Sequence, residues 1–202
     1  MEKKRPTIID FVEQYTAKYG NETFLREKVD GVWKETSFNT TREEAHILAA
    51  GFMSMGLEKG DKVALISEGR NYWIFSELGI LYAGAVNVPL SFKLESDTDL
   101  TFRINHSDAR FVIASQTQID KIRRVIDRCP KVEKVIVMDP IELKDGEIYI
   151  GDIRAAGKEY LKEHQDLLLE RMASVGPDDY ANISYTSGTT ADPKGILLTH
   201  RN

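Results

Sequence analysis

One cysteine, Cys129, stands alone in 202 residues, so no disulfide can close within the chain and small folds stapled by bridges are excluded. Such usage fits a reducing compartment. Histidine is sparse as well, and His46, His106, His164 and His200 lie far apart with no His-x-x-x-His spacing or Cys/His cluster, which leaves no zinc pattern. A Gly-x-Ser-x-Gly elbow is missing, which disfavours a serine hydrolase. The longest nearly apolar stretch, residues 78–90, is shorter than the about 20 residues a bilayer span requires. The charged start, Met1-Glu2-Lys3-Lys4-Arg5-Pro6, is followed by no apolar core of secretory length, so no signal peptide is apparent. The chain is expected to be soluble and cytoplasmic, with any membrane contact peripheral. A net charge of −5 gives no reason to expect nucleic acid as a partner, and no repeat or low-complexity tract interrupts the sequence.

What remains is ordinary globular composition, 42% hydrophobic and 29% charged, in a chain long enough to bury roughly 70% of its unfolded surface. Residues 7–19 carry Ile8, Ile9, Phe11, Val12 and Tyr15 at helical spacing between a capping Thr7 and a stop at Gly20. Asp30-Gly31 between two short runs signals a hairpin over residues 22–37, with Trp33 expected to be partly buried in core packing. Thr41-Arg42-Glu43-Glu44 has capping-box character ahead of an apolar stripe ending at Gly56. From residue 40 to 138 the pattern alternates: buried-strand runs at 63–67, 86–88, 111–114 and 134–138, with helical spacing at 71–83, 97–105 and 118–128 between them. Pro89 is expected to stop its strand. Residues 139–175 read as a connection with a small hairpin at Asp145-Gly146, then a charged surface helix over 158–172. This is an α/β fold, an open and mostly parallel sheet with flanking helices. Tyr72, Trp73 and Phe75 form an aromatic cluster on one helix, read as core packing against the alternative of an acyl-groove wall.

The most informative segment lies near the end, over residues 180–202, where a strand, a loop and a second strand follow one another. Tyr185-Thr186-Ser187-Gly188-Thr189-Thr190-Ala191-Asp192-Pro193-Lys194 gathers hydroxyls and glycine before one lysine and runs into Gly195. Glycines let backbone N–H groups approach a bound group closely, the hydroxyls add donors, and Lys194 adds a point charge. Together they make an anion nest suited to a polyphosphate. A Ser/Thr/Gly surface turn is the bland alternative. The Walker spacing fails, because Lys194 is followed by Gly195 and a strand-like run instead of a hydroxyl and a helix. His200, at the end of the second strand, could face a substrate cleft or serve the structure.

Residues 185–202 resemble the phosphate-loop signature of the adenylate-forming superfamily of acyl-CoA synthetases, firefly luciferase and peptide-synthetase adenylation domains. Gly56-Leu57-Glu58-Lys59-Gly60-Asp61-Lys62-Val63-Ala64, Asn71-Tyr72-Trp73 and Gly84-Ala85-Val86-Asn87-Val88-Pro89-Leu90 are similar to the amino-terminal segment of AMP-forming long-chain fatty-acid-CoA ligases. The likeness covers most of the chain from about residue 23. Ala191 departs from the glycine or serine usual there, and retained phosphate binding is expected. The resemblance implies that residues 1–202 are part of the large amino-terminal domain of such a ligase. It implies activation of a fatty acid with ATP and Mg²⁺ to an acyl-adenylate, then transfer to coenzyme A. Thr186, Ser187, Gly188, Thr189, Thr190 and Lys194 would hold the β- and γ-phosphates, Lys194 and Thr186 would act in catalysis, and Thr189 would touch Mg²⁺. The adenine-binding, hinge and carboxy-terminal catalytic groups are expected beyond Asn202, so that the 202 residues alone would be inactive. Alternatives are an adenylation domain for an amino or aryl acid, a luciferase-like oxygenase, or a non-catalytic nucleotide-binding module.

Overall fold

A computed structural model of the protein describes residues 6–186 and 193–202. The chain opens with α1 (Ile8–Tyr19), which Thr7 and Asp10 cap reciprocally: Asp10 N–H donates to Thr7 Oγ1 at 3.1 Å and Thr7 N–H to Asp10 Oδ2 at 2.8 Å. The hairpin follows as β1 (Thr23–Val29) and β2 (Val32–Ser37), antiparallel around Asp30-Gly31, both at positive φ as a tight hairpin turn demands. Trp33 does not enter the core. It is 63% exposed, because the two-stranded ribbon is separate from the main sheet and that face meets no partner layer among the described residues.

Helix α2 (Phe38–Ser54) starts earlier than Thr41-Arg42-Glu43-Glu44 suggests, since Ser37 is the cap and accepts from Thr40 N–H. Thr41 lies inside the first turn, buried and donating to the Ser37 carbonyl at 2.9 Å. Next come β3 (Lys62–Ile66), α3 (Asn71–Tyr82), β4 (Val86–Leu90), α4 (Asp97–His106), β5 (Ala109–Ala114), α5 (Ile119–Val125) with a 3₁₀ turn, and β6 (Lys134–Val137). Pro89 does not stop β4; it pairs in register with Leu65, since its fixed φ suits a strand and only one ladder donor is lost. The hairpin expected at Asp145-Gly146 is instead a turn into β7 (Glu147–Tyr149), which runs parallel to β6 at the sheet edge. Helix α6 (Ile150–Ser174) begins well before residue 158, and Ile150, Ile153, Gly157 and Leu168 are buried, so it is only partly a surface helix.

The main sheet is completed by β8 (Tyr180–Tyr185) and β9 (Gly195–Thr199), in the order β7-β6-β5-β3-β4-β8-β9. All neighbours are parallel except β8 and β9. Strand residues alternate between two cores as the pleat requires. Val63, Leu65, Phe111 and Ile113 face α1, α2, α3 and α6, while Ala64, Ile66, Val112 and Ala114 face α4 and α5. Placing α3 and α4 on opposite faces is what right-handed crossovers demand when the chain steps from β3 to β4 and then back past β3 to β5. That reversal makes the carboxyl ends of β3 and β5 a topological switch point, where open α/β sheets bind ligands. No helix among the described residues is long and apolar enough to cross a membrane.

A carboxylate under the first core latches α1 to its neighbours. Arg42 Nε donates to Glu13 Oε2 at 2.7 Å, Tyr82 Oη donates to Glu13 Oε1 at 2.7 Å, and His46 Nε2 lies 3.1 Å from the same oxygen. Burial works against the charge, yet the hydrogen bonds from His46, Arg42 and Tyr82 outweigh it and lower the Glu13 pKa to about 2. A depressed carboxylate pKa contributes stability that is present above the ordinary range and lost as pH falls through the folded value. Glu13→Gln is therefore expected to cost about 2 kcal/mol at neutral pH, allowing for partial solvent screening. In thermal melts the gap between wild type and variant should close between pH 4.5 and about 2. A pH-independent gap would contradict this role.

Candidate active site

Polar residues that follow the buried strands tie the carboxyl edge of the sheet together. Glu68, just past β3, accepts from Ser115 Oγ and Thr117 Oγ1, each at 2.7 Å, just past β5. Arg70 pairs with Asp139 beyond β6, Nη1 to Oδ2 at 2.9 Å and Nη2 to Oδ1 at 2.8 Å, and Asp139 Oδ2 also accepts from Gln116 N–H at 2.8 Å. Burial opposes the Glu68 charge, but the Thr117 and Ser115 hydroxyls and the Arg70 cation hold its pKa below the usual carboxylate range. A groove of about 630 Å³ opens above this cluster, between the hairpin and the turn from β3 into α3. Asn71 docks the hairpin there, donating through Nδ2 to Thr36 Oγ1 at 3.0 Å. Trp73 lines that groove, whereas Phe75 is 6% exposed in the core with Tyr72 edge-on at 5.6 Å. Sequence reasoning missed the Glu68, Arg70 and Asp139 network. The available signal was polar residues standing directly after each apolar strand run.

The hydroxyl-rich segment leaves the same edge, because β8 runs parallel to β4 and its last residue precedes Thr186. Tyr185 stands opposite Gly195, and Thr186 N–H donates to the Lys194 carbonyl at 3.2 Å, which closes the neck of the loop. Thr186 and Lys194 are exposed at the mouth of that neck. A Cβ on Gly195 would meet Ile183 Cγ2 at 3.1 Å and two Tyr185 ring carbons at 3.4 Å, so a side chain after the lysine would crowd both residues. Ser187, Gly188, Thr189, Thr190 and Ala191 lie outside the described residues. Thr189 as a magnesium contact therefore stands outside them too.

Among the described residues no group of three or more His, Cys, Asp or Glu side chains could hold a metal ion. The donors this neck does offer, the Thr186 hydroxyl and the Lys194 ammonium, suit phosphate oxygens and not a bare cation. His200 is 4% exposed at the far end of β9, roughly 17 Å of extended strand from Gly195. Its N–H donates to the Asp179 carbonyl at 3.0 Å, and burial holds its pKa below the ordinary histidine range. It follows β9 and ties that strand's end to the turn that precedes β8, so its place is structural and not the cleft.

Comparison with known proteins agrees with this architecture. The family model described as AMP-binding enzyme matches residues 12–202, and the chain belongs to that family. Among curated proteins, 4-hydroxybutyrate–CoA ligase 2 of Metallosphaera sedula is 29% identical over 88% of this chain and 32% of its own length. A long-chain-fatty-acid–CoA ligase of Xenopus laevis is 27% identical over 97% of this chain and 26% of its own. A crotonobetaine/carnitine–CoA ligase of Citrobacter koseri is 29% identical over 91% and 34%. The chain thus spans about a third or less of the curated relatives it matches. Among solved structures, the anthranilate CoA ligase AuaEII in complex with anthranoyl-AMP superposes with a TM-score of 0.80 at 21% identity, over 98% of this chain and 36% of that one. The didomain of a carboxylic acid reductase from Segniliparus rugosus in complex with AMP gives 0.74 at 16% identity, over 99% and 32%. At those identities the shared property is the fold, that of adenylate-forming enzymes.

Proposed function

We propose that this chain is the phosphate-gripping part of an adenylate-forming ligase that activates a carboxylic acid, of the fatty-acid class, with ATP and passes the acyl group to coenzyme A. The observation that carries the reading is the neck at the carboxyl edge, where Thr186 and Lys194 stand on either side of a loop rich in hydroxyls. In the first step a carboxylate oxygen of the acid attacks the α-phosphorus of ATP. The bond to the bridging oxygen breaks, and pyrophosphate leaves with the electron pair. The coenzyme A thiolate then attacks the acyl carbonyl and AMP departs.

Charge builds on the β- and γ-phosphates as pyrophosphate forms, and donors fixed in advance around it lower the barrier electrostatically. Lys194 Nζ and Thr186 Oγ1 would receive that charge, with Ser187, Gly188, Thr189 and Thr190 completing the cradle. Mg²⁺ bound with the nucleotide would neutralise part of that charge, with Thr189 as the residue that would meet it. Groups that hold adenine and complete the second step would come from further sequence, a reading supported by the greater length of the relatives.

The fatty-acid class rests on the likeness of residues 84–90 and 71–73 to fatty-acid ligases. Asn87 itself is fully buried and donates to Glu77 at 2.9 Å, so it does not touch the acid. Acid-dependent ATP–pyrophosphate exchange in the protein that carries this chain, with acetate, octanoate, palmitate, anthranilate and an amino acid compared, tests the proposal. Exchange driven best by octanoate or palmitate is expected. A preference for the aryl or amino acid would overturn the acid class alone, and no exchange with any acid would overturn adenylation.

A further inference from the structure

We propose that Tyr185 is the positioning residue of the phosphate loop, fastening the loop's neck to α4; the inference rests on the functional reading above. Backbone pairing alone leaves that neck weakly held. The ladder between β8 and β4 is confined to Asn87 opposite Asn182, so the last three residues of β8 lie beside β4 with no further register pair. On the other side, among the described residues, lies β9 at the sheet edge, with Ile196, Leu197 and Leu198 exposed. Two strands that end in a loop and are held to the sheet by so short a ladder can splay, and their loop with them.

Side chains of α4 supply what the ladder does not. The Tyr185 hydroxyl lies 2.8 Å from His106 Nδ1 and donates to the Arg103 carbonyl at 3.3 Å. The Arg103 guanidinium sits 5.4 Å from the centre of the Tyr185 ring, and Arg103 is itself nearly buried, its Nε without a hydrogen-bond partner among the described residues. His106 meets the ring edge-on at 5.8 Å and is backed by Phe102, stacked on it at 5.1 Å. Helix α4 is in turn seated in the second core by Leu100 and Ile104, both 1% exposed. The ring therefore joins a rigid layer to the strand end from which Thr186 departs.

Its other face determines where the chain returns. Ring carbons Cε1 and Cζ would lie 3.4 Å from a Cβ on Gly195, so the backbone that follows Lys194 rests against Tyr185. Both ends of the loop are thus referenced to one aromatic ring, Thr186 through the peptide bond and Lys194 through Gly195. A displacement on the order of 1 Å at groups that meet a reacting phosphate can cost about 100-fold in rate. Tyr185 touches no phosphate in this account; it acts through Thr186 and Lys194.

Steady-state exchange kinetics on the protein that carries this chain test the inference. Tyr185→Phe keeps the ring and removes both hydroxyl contacts, and His106→Ala removes one partner from the other side. Each should raise KM for magnesium ATP roughly fivefold while KM for the acid stays within about twofold and Tm within about 2 °C. The double variant should be no worse than Tyr185→Phe alone, because that change already breaks the contact His106→Ala removes. His106→Asn, whose amide reaches the place of Nδ1, should restore most of the loss. A residue with a merely structural role would lower Tm and the active fraction without this split between the two KM values. Lys194→Ala separates the two levels of the argument. Should it raise KM for ATP while Tyr185→Phe and His106→Ala do not, the positioning role fails and the phosphate site stands. Should none of the three move it, both fail.

Discussion

Lys194→Ala should lower acid-dependent ATP–pyrophosphate exchange by about 30- to 150-fold. A charge-assisted hydrogen bond to a phosphate is worth about 2–3 kcal/mol where the charge is developing, and each 1.4 kcal/mol is a factor of ten. The ammonium is exposed beyond a closed neck and supports no part of either core, so Tm should move by no more than about 2 °C. Lys194→Arg keeps the charge but replaces a compact ammonium with a planar fork, and should recover part of the activity. Turnover unchanged in Lys194→Ala would remove the lysine from the mechanism. A large fall in Tm would instead make it a structural residue.

The largest stability effect is expected at Gly157, in the contact between α6 and α2. A Cβ there would lie 2.0 Å from the Ile47 carbonyl oxygen and 2.9 Å from Gly51 N, and a Cβ on Gly51 would lie 2.4 Å from the Ile153 carbonyl oxygen. Glycine within a helix costs about 1 kcal/mol relative to alanine, so the pair is tolerated because it lets the two backbones touch. Gly157→Ala should force α6 away from α2 at about 3 kcal/mol, or about 6–12 °C in Tm for a chain of this size. Gly69→Ala, with nothing within 4 Å of the added carbon, should stay within about 2 °C. An unchanged Tm for Gly157→Ala would contradict the close crossing of α2 and α6.

Some of this was legible from residue order because the deciding forces are local. Short continuous apolar runs marked β3, β5 and β6, the Thr7 cap and Gly20 stop bounded α1, and Asp30-Gly31 produced the hairpin. Errors arose where a distant partner decides. Trp33 is large and apolar, yet its exposure depends on whether a layer packs over the ribbon, and none does among the described residues. Asp145-Gly146 is a sound turn signal, but whether the chain folds back on itself or joins β6 as a parallel edge depends on a strand ten residues away. Polar residues 158–172 hid the glycine contact that seats α6, because a missing side chain leaves no hydrophobic signal. At the site, Thr186 and Lys194 stood out from composition as phosphate-binding candidates, since hydroxyls, glycine and a lysine in one loop suit few ligands. The clamp of His106 and Arg103 on Tyr185 did not, for it joins residues about 80 positions apart.

The account depends on where the nucleotide's phosphates sit. A crystal structure of the protein with magnesium ATP should place the β- and γ-phosphate oxygens about 3 Å from Lys194 Nζ and Thr186 Oγ1, above the neck closed by Thr186 and Lys194. Phosphates bound instead in the groove beside Glu68 and Arg70, with Lys194 turned away, would contradict it.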